Sequence, residues 1–143
     1  ADVSLAVGDG RLWLERAAPQ RFDVLVLDAF ASDSVPAHLL TLEAFRAYLR
    51  VLKPDGVIAA NVSNRHLAVE RVIAGAAARL GLRLRVRETQ RDLDAGFTRA
   101  RWVLLARDRG TFAALGKPED WQALSGEPLL WTDDFSDLLS VLR

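Results

Sequence analysis

Asp28 and Asp33 stand five residues apart, directly after an unbroken apolar run, Val24-Leu25-Val26-Leu27. Such a run reads as a strand buried on both faces. It stops abruptly at Asp28, in a loop of Ala, Ser and Asp closed by Pro36. In an open α/β sheet, ligands sit beyond the carboxyl ends of the strands. Two carboxylates at that edge are therefore the first place to look for chemistry. A carboxylate in hydrogen-bond reach positions a basic group and accepts its proton, an effect worth roughly 10²–10⁴-fold. Paired acids also attract a cation. The plainer alternative has Asp28 closing the strand end and Asp33 forming a turn with Ser34.

Other polar residues fall at positions of the same kind. Asp9 lies in a Gly-Asp-Gly turn, where it either caps a helix or faces a ligand. Asn64, Arg65 and His66 follow a second apolar run and give a polar rim at the same edge, or a surface helix start. Asp133-Asp134 is either a flap over a pocket or a solvated acidic turn. His38 reads as a turn or solvent histidine. Two histidines so far apart make no metal site, and no metal is expected. Arg79, Arg83, Arg85, Arg87 and Arg91 form a basic cluster that alternates with Leu84 and Val86, which fits an exposed strand face better than a ligand site. The four tryptophans read as core or interface.

The elements that must hold these groups follow from periodicity. Val3 to Val7 reads as a short strand. Gly8-Asp9-Gly10 turns into a helix of about two turns, and the strand Phe22 to Leu27 follows. Thr41 is a plausible N-cap for a helix with Leu42, Phe45, Leu49 and Leu52 on one face. Lys53-Pro54-Asp55-Gly56 makes a turn before a buried strand, Val57 to Val62. A helix from Leu67 to Leu80 ends at Gly81. Arg83 to Arg87 alternates as an edge strand with one wet face, Gln90 to Ala100 is a polar loop, and Trp102 to Ala106 is a more central strand. Short helical turns are expected over Thr111–Leu115, Pro118–Leu124 and Leu138–Leu142. Strands alternating with helices argue for an α/β fold with a mostly parallel sheet and an antiparallel finish.

The totals narrow the function. The 143 residues fit a single domain, 1–143, with a sizeable core. Nineteen basic residues balance nineteen acidic ones, which argues against a broad nucleic-acid or anionic-membrane surface. Without cysteine there are neither disulfides nor thiolate metal sites. No apolar run is long enough to span a bilayer, and the amino end does not read as a signal peptide. A start at Ala1-Asp2 with no methionine suggests a piece of something longer.

Four segments, VGDGRLWL (Val7–Leu14), FDVLVLDAFASDSVPAHLLTLEAF (Phe22–Phe45), LKPDGVIAANVSNRHL (Leu52–Leu67) and WTDDFSDLL (Trp131–Leu139), together resemble the spermidine synthase-like family. More narrowly they resemble its bacterial branch, in which such a domain is often joined to membrane segments. The resemblance implies a Rossmann-like methyltransferase-type fold. It also implies decarboxylated S-adenosylmethionine as co-substrate, a polyamine acceptor, a cytoplasmic bacterial setting and a homo-oligomer. By the same resemblance Asp9 lies near the adenine and Asp28 faces the attacking amine. Asp33, with Asn64 and Asp133 at the rim, holds the acceptor. The glycine-rich cofactor loop that precedes this part of the family fold has no counterpart. Trp13 occupies the place where a GxGxxG pattern starting at Gly8 needs its third glycine. The first two strands of the family fold are likewise expected to be missing between Val3–Val7 and Phe22–Leu27. The expectation is an aminopropyltransferase domain inactive by itself and prone to self-association. A non-catalytic nucleoside-binding or assembly domain and a methyltransferase are the alternatives.

Overall fold

A computed structural model describes residues 2–30, 35–64, 66–90, 99–113, 115, 121–124 and 126–143. Asp33, Arg65, Arg91 and residues 116–120 lie outside that set, as does most of the expected polar loop after Gln90.

Helix α1 (Gly10–Arg16) leads to strand β1 (Phe22–Leu27), a 3-10 turn (Ala37–Leu39) and helix α2 (Leu42–Val51). Strand β2 (Leu52–Asn61), helix α3 (Val69–Arg79) and the strands β3 (Arg83–Thr89) and β4 (Ala100–Ala106) follow. Helix α4 (Gly110–Ala113) and a 3-10 turn (Leu139–Val141) complete the order. The strands form one sheet in the order β1-β2-β4-β3. β1 runs parallel to β2, while β2–β4 and β3–β4 are antiparallel. The fold is the expected α/β one with an antiparallel finish, its parallel part confined to β1–β2.

The local signals that predict α2 and α3 act as read. The Thr41 hydroxyl accepts from the Ala44 amide at 3.3 Å, and Arg50 in the last turn of α2 donates to the Leu14, Glu15 and Ala17 carbonyls at the end of α1. Gly81 ends α3 with φ +67°, a left-handed conformation that suits glycine. Both helices press one face of the sheet. Phe45, Tyr48, Val51, Val72 and Ile73 are fully buried there against Ile58, Val103 and Leu105. Trp131 from the tail closes this core. The opposite face carries a much smaller cluster around Val57, Leu104, Ala106 and Phe112.

The expected Lys53–Gly56 turn lies inside β2 as a bulge. Phe22 pairs with Leu52, and Val24 pairs with Val57. β1 therefore advances two residues while β2 advances five.

Three expectations are corrected. Val3 to Val7 forms no strand; it has no neighbour to pair with, and Val7 is 96% exposed. β1 is not buried on both faces. It is an edge strand whose Val24 and Val26 are 54% and 56% exposed, because among the described residues β2 is its one neighbour in the sheet. Residues 121–124 are not helical. Gln122 exchanges two backbone hydrogen bonds with Val86, 2.8 and 3.0 Å, along the outer edge of β3. No helix among the described residues is long and apolar enough to cross a membrane.

Candidate functional site

The sequence-predicted residues fall into two clusters. The first stands at the carboxyl end of β1 and β2. Leu27 pairs with Ala60, so the next residues, Asp28 and Asn61, lie side by side as the strands end. The Asn61 amide donates to Asp28 Oδ1 at 2.9 Å. The Asn61 carbonyl oxygen accepts from the Ser63 amide at 3.1 Å and from its hydroxyl at 2.6 Å. Ser63 Oγ in turn accepts from the Arg101 backbone amide at 2.8 Å. Asp28 is thus exposed on one side and tied on the other through a relay that reaches β4. Its Oδ2 makes no hydrogen bond with any described residue.

Asn64 is nearly buried and works as a staple. Its side-chain amide donates to the Phe30 carbonyl at 3.0 Å. Its Oδ1 accepts from the backbone amides of His66 and Leu67 at 2.9 and 2.8 Å. The loop after β1 and the loop after β2 are joined by this one side chain. His66 itself is exposed.

Next to this cluster is a cavity of about 480 Å³, lined by Ser63, Asn64, Glu88, Arg99, Arg101 and Arg143. Arg99 pairs with Glu88, Arg101 reaches Glu88 at 3.3 Å, and Arg143 donates to Glu70 at 2.8 Å. These arginines come from β4, its approach and the tail, and none belongs to the cluster singled out in the sequence.

The second cluster surrounds Arg11. Asp9 caps α1 through a 3.0 Å bond from the Leu12 amide, and its other oxygen lies 3.0 Å from His38 Nε2. The Leu12 bond, with the nearby His38, holds the Asp9 carboxyl below its usual range. Arg11 donates to both oxygens of Asp133, and Thr41 Oγ1 donates to Oδ1 at 2.7 Å. Those bonds bring Asp133 down to about 2. Asp133 therefore serves as an anchor for the tail, against the N-termini of α1 and α2. Asp9 also edges a depression of about 290 Å³ together with Val7, Gly8 and Trp13. Tyr48, the one tyrosine, is buried in the core and donates to the Leu39 carbonyl at 3.0 Å; burial pushes its phenol up.

Sequence reasoning missed Asn61, Ser63 and Arg11. Asn61 had a signal, since it is a polar residue in the apolar strand run Val57 to Val62. Arg11 had none, because its partner lies 122 positions away.

No family model matches the sequence. A polyamine aminopropyltransferase from Vibrio vulnificus is 38% identical over 56 residues, which is 38% of this chain and 19% of that protein. A probable polyamine aminopropyl transferase from Bifidobacterium longum is 32% identical over 63 residues, or 44% of this chain and 14% of that protein. The matched segments thus span under a fifth of these relatives' lengths. Among solved structures, spermidine synthase from Thermotoga maritima superposes with TM-score 0.54 at 15% identity, over 92% of this chain and 44% of that one. A probable spermidine synthase from Corynebacterium glutamicum superposes with TM-score 0.52 at 22% identity, over 71% and 36%. The chain is spermidine synthase-like, in sequence over part of its length and in fold over most of it.

Proposed function

We propose that the full-length protein transfers an aminopropyl group from decarboxylated S-adenosylmethionine to an amine of the polyamine class, with Asp28 on the amine side. The observation that carries this reading is the Asp28–Asn61 pair. Asn61 holds one carboxylate oxygen at the carboxyl edge of the parallel strands and leaves the other for a ligand. In such a reaction the carbon–sulfur bond of the sulfonium breaks, its electron pair staying on sulfur, and a carbon–nitrogen bond forms. The attacking amine must be neutral, and Asp28 is placed to orient it and take up its proton. Asp9 fits the nucleoside side, at the edge of the depression beside Gly8 and Trp13. Asn64 supports the loop that follows β1, and Asp133 acts at a distance by anchoring the tail. Asp33 is the second amine-side carboxylate by resemblance.

The test is aminopropyl transfer to 1,4-diaminobutane by the full-length protein with and without Asp28→Asn. A loss of roughly 10²–10⁴-fold is expected. An unchanged rate removes Asp28 from the role.

A second reading is a non-catalytic assembly or nucleoside-binding domain. It draws support from Asp9, whose two oxygens are already engaged by Leu12 and His38, and from the open outer edge of β1. Calorimetry with methylthioadenosine separates the two. Absence of binding by the full-length protein, together with a stable oligomer, favours assembly. The methyltransferase alternative shares the fold and is favoured by no residue of the site.

A further inference from the structure

His38 and Asp9 come from two elements that β1 separates in the chain. The His38 ring nitrogen Nε2 stands 3.0 Å from Asp9 Oδ2, while Asp9 Oδ1 accepts from the Leu12 amide at 3.0 Å. Arg11, in the first turn of α1, donates to the His38 carbonyl at 2.9 Å. The N-terminus of α1 and the 3-10 turn Ala37–Leu39 thus clasp each other, ring to cap in one direction and guanidinium to carbonyl in the other. The turn is a firm support for the ring. The Leu39 carbonyl accepts from the hydroxyl of the buried Tyr48 at 3.0 Å. The Leu39 and Leu40 amides bond back to the Pro36 and Ala37 carbonyls at 3.0 and 2.9 Å.

Stability does not account for this pair. The two side chains are 51% and 34% exposed, and ion pairs so exposed contribute little. What the pair fixes is direction. The Leu12 amide holds one oxygen of the Asp9 carboxylate and His38 holds the other, so the plane of the group cannot turn. A histidine Nε2 donates to a carboxylate both as the imidazolium and as the neutral ring protonated there. A carboxylate offers about four lone-pair sites, so these two contacts orient it without filling it. We propose that His38 is a positioning residue: its ring sets the Asp9 carboxylate so that a free lone pair faces the depression beside Gly8 and Trp13 and accepts from the exocyclic amino group of an adenine-type base. This rests on the reading of Asp9 as the nucleoside-side carboxylate. His38 does not itself line the depression, and it acts through Asp9.

The experiment compares methylthioadenosine with the same nucleoside carrying unsubstituted purine, which lacks the amino group. Binding of each to the full-length protein is measured by calorimetry. About tenfold tighter binding of methylthioadenosine is expected, the order for a hydrogen bond to a charged group. His38→Ala is expected to shrink that preference by about threefold or more, weakening the adenine ligand and leaving the purine ligand as it was. His38→Gln keeps an N–H donor near the same place and is expected to retain the preference. A partly unfolded variant weakens both ligands alike, so the ratio separates positioning from loss of fold. An unchanged ratio in His38→Ala, or an equal loss in His38→Gln, would overturn the inference. So would tighter binding of methylthioadenosine by His38→Ala, the sign of a ring that competes with the base for the same oxygen. Asp9→Asn, which keeps a helix cap, locates the failure. If it removes the preference while His38→Ala does not, Asp9 remains the nucleoside-side carboxylate and only the role of His38 falls. If neither variant changes the ratio, or neither nucleoside binds, the reading of Asp9 falls with it.

Discussion

The Arg11 guanidinium grips the Asp133 carboxylate through two parallel hydrogen bonds, 2.7 and 2.6 Å, across 122 positions of sequence. The Arg11 side chain is only 12% exposed and that of Asp133 43%, so the pair is partly desolvated. Thr41 adds a third bond to the carboxylate. Isolated surface pairs contribute little, but a bidentate pair within a network contributes more. Asp133→Ala is expected to lower the free energy of unfolding by about 1–2 kcal/mol. Urea denaturation checks this. A change within measurement error would show that the tail is held by Trp131 and its neighbours alone.

The same pair sets an acid limb. Asp133 titrates at about 2 in the folded chain, mainly because of its bonds to Arg11, and in the ordinary carboxylate range when unfolded. Its stabilisation is therefore complete above the ordinary range and fades as pH falls from about 4 toward 2. Asp133→Asn is expected to flatten the melting temperature over that window and leave pH 6–8 with a constant offset. Asp9, lowered first by the Leu12 amide, contributes in the same direction. Whatever acid limb survives in Asp133→Asn should shrink further in the double variant with Asp9→Asn.

Gly75 is where α3 meets the tail. A Cβ there would sit 1.9 Å from the Leu129 carbonyl oxygen and 2.5 Å from its carbon. Neither atom belongs to a movable side chain, and Leu129 is tied to α3 by a 3.0 Å bond from its amide to the Arg71 carbonyl. Gly75→Ala, normally favourable in a helix, is expected instead to cost about 1–3 kcal/mol, the range for overpacking with backbone displacement. Thermal unfolding reads it directly, and an unchanged melting temperature would mean that the tail swings clear at little cost.

Asn61 gives a readout on the role proposed for Asp28. Asn61→Ala releases Asp28 Oδ1 and the Ser63 hydroxyl together. Under the proposed function it is expected to lower the aminopropyl transfer rate of the full-length protein about tenfold, the order expected when a positioned carboxylate loses its support. The unfolding midpoint should move far less than in Gly75→Ala. Equal loss of rate and stability would assign Asn61 to the fold alone.

The free edge of β1 gives a prediction about association. Val24 and Val26 present apolar surface and no strand among the described residues pairs with the outer backbone of β1, which together make a template for edge pairing. Light scattering of the 143-residue chain is expected to show self-association that Val26→Lys reduces. A monomer at high concentration would contradict this.

The helices α2 and α3, the edge strand β3 and the inner strand β4 were legible because their signals are local: a cap at Thr41, a stop at Gly81, strict alternation over Arg83–Arg87, and a solid apolar run over Trp102–Ala106. β1 was misread for a physical reason. Composition records how apolar a strand is, not whether neighbours are present to cover it. Val3–Val7 fails in the same way, since alternation without a partner strand leaves an extended segment. At the candidate site, Asp28 was singled out from its place at the end of a run, and Asn64 from the loop that follows one. The staple that Asn64 makes was hidden, because Phe30 is 34 positions away. The arginine cavity was hidden too. Its groups are drawn from positions 99, 101 and 143, and only the antiparallel return of β4 and the docking of the tail bring them together.

The Asn64 staple ties the start of one loop to the end of another. The amide that holds the Phe30 carbonyl and the oxygen that gathers His66 and Leu67 belong to a single planar group, so Phe30 cannot shift without disturbing His66 and Leu67. The ordering entropy of these residues is therefore already spent in the unliganded chain. A molecule that settles against Asp28 meets a surface whose far side, along the arginines, is set in advance. Occupancy at one end should then be felt at the other as cooperativity without visible movement.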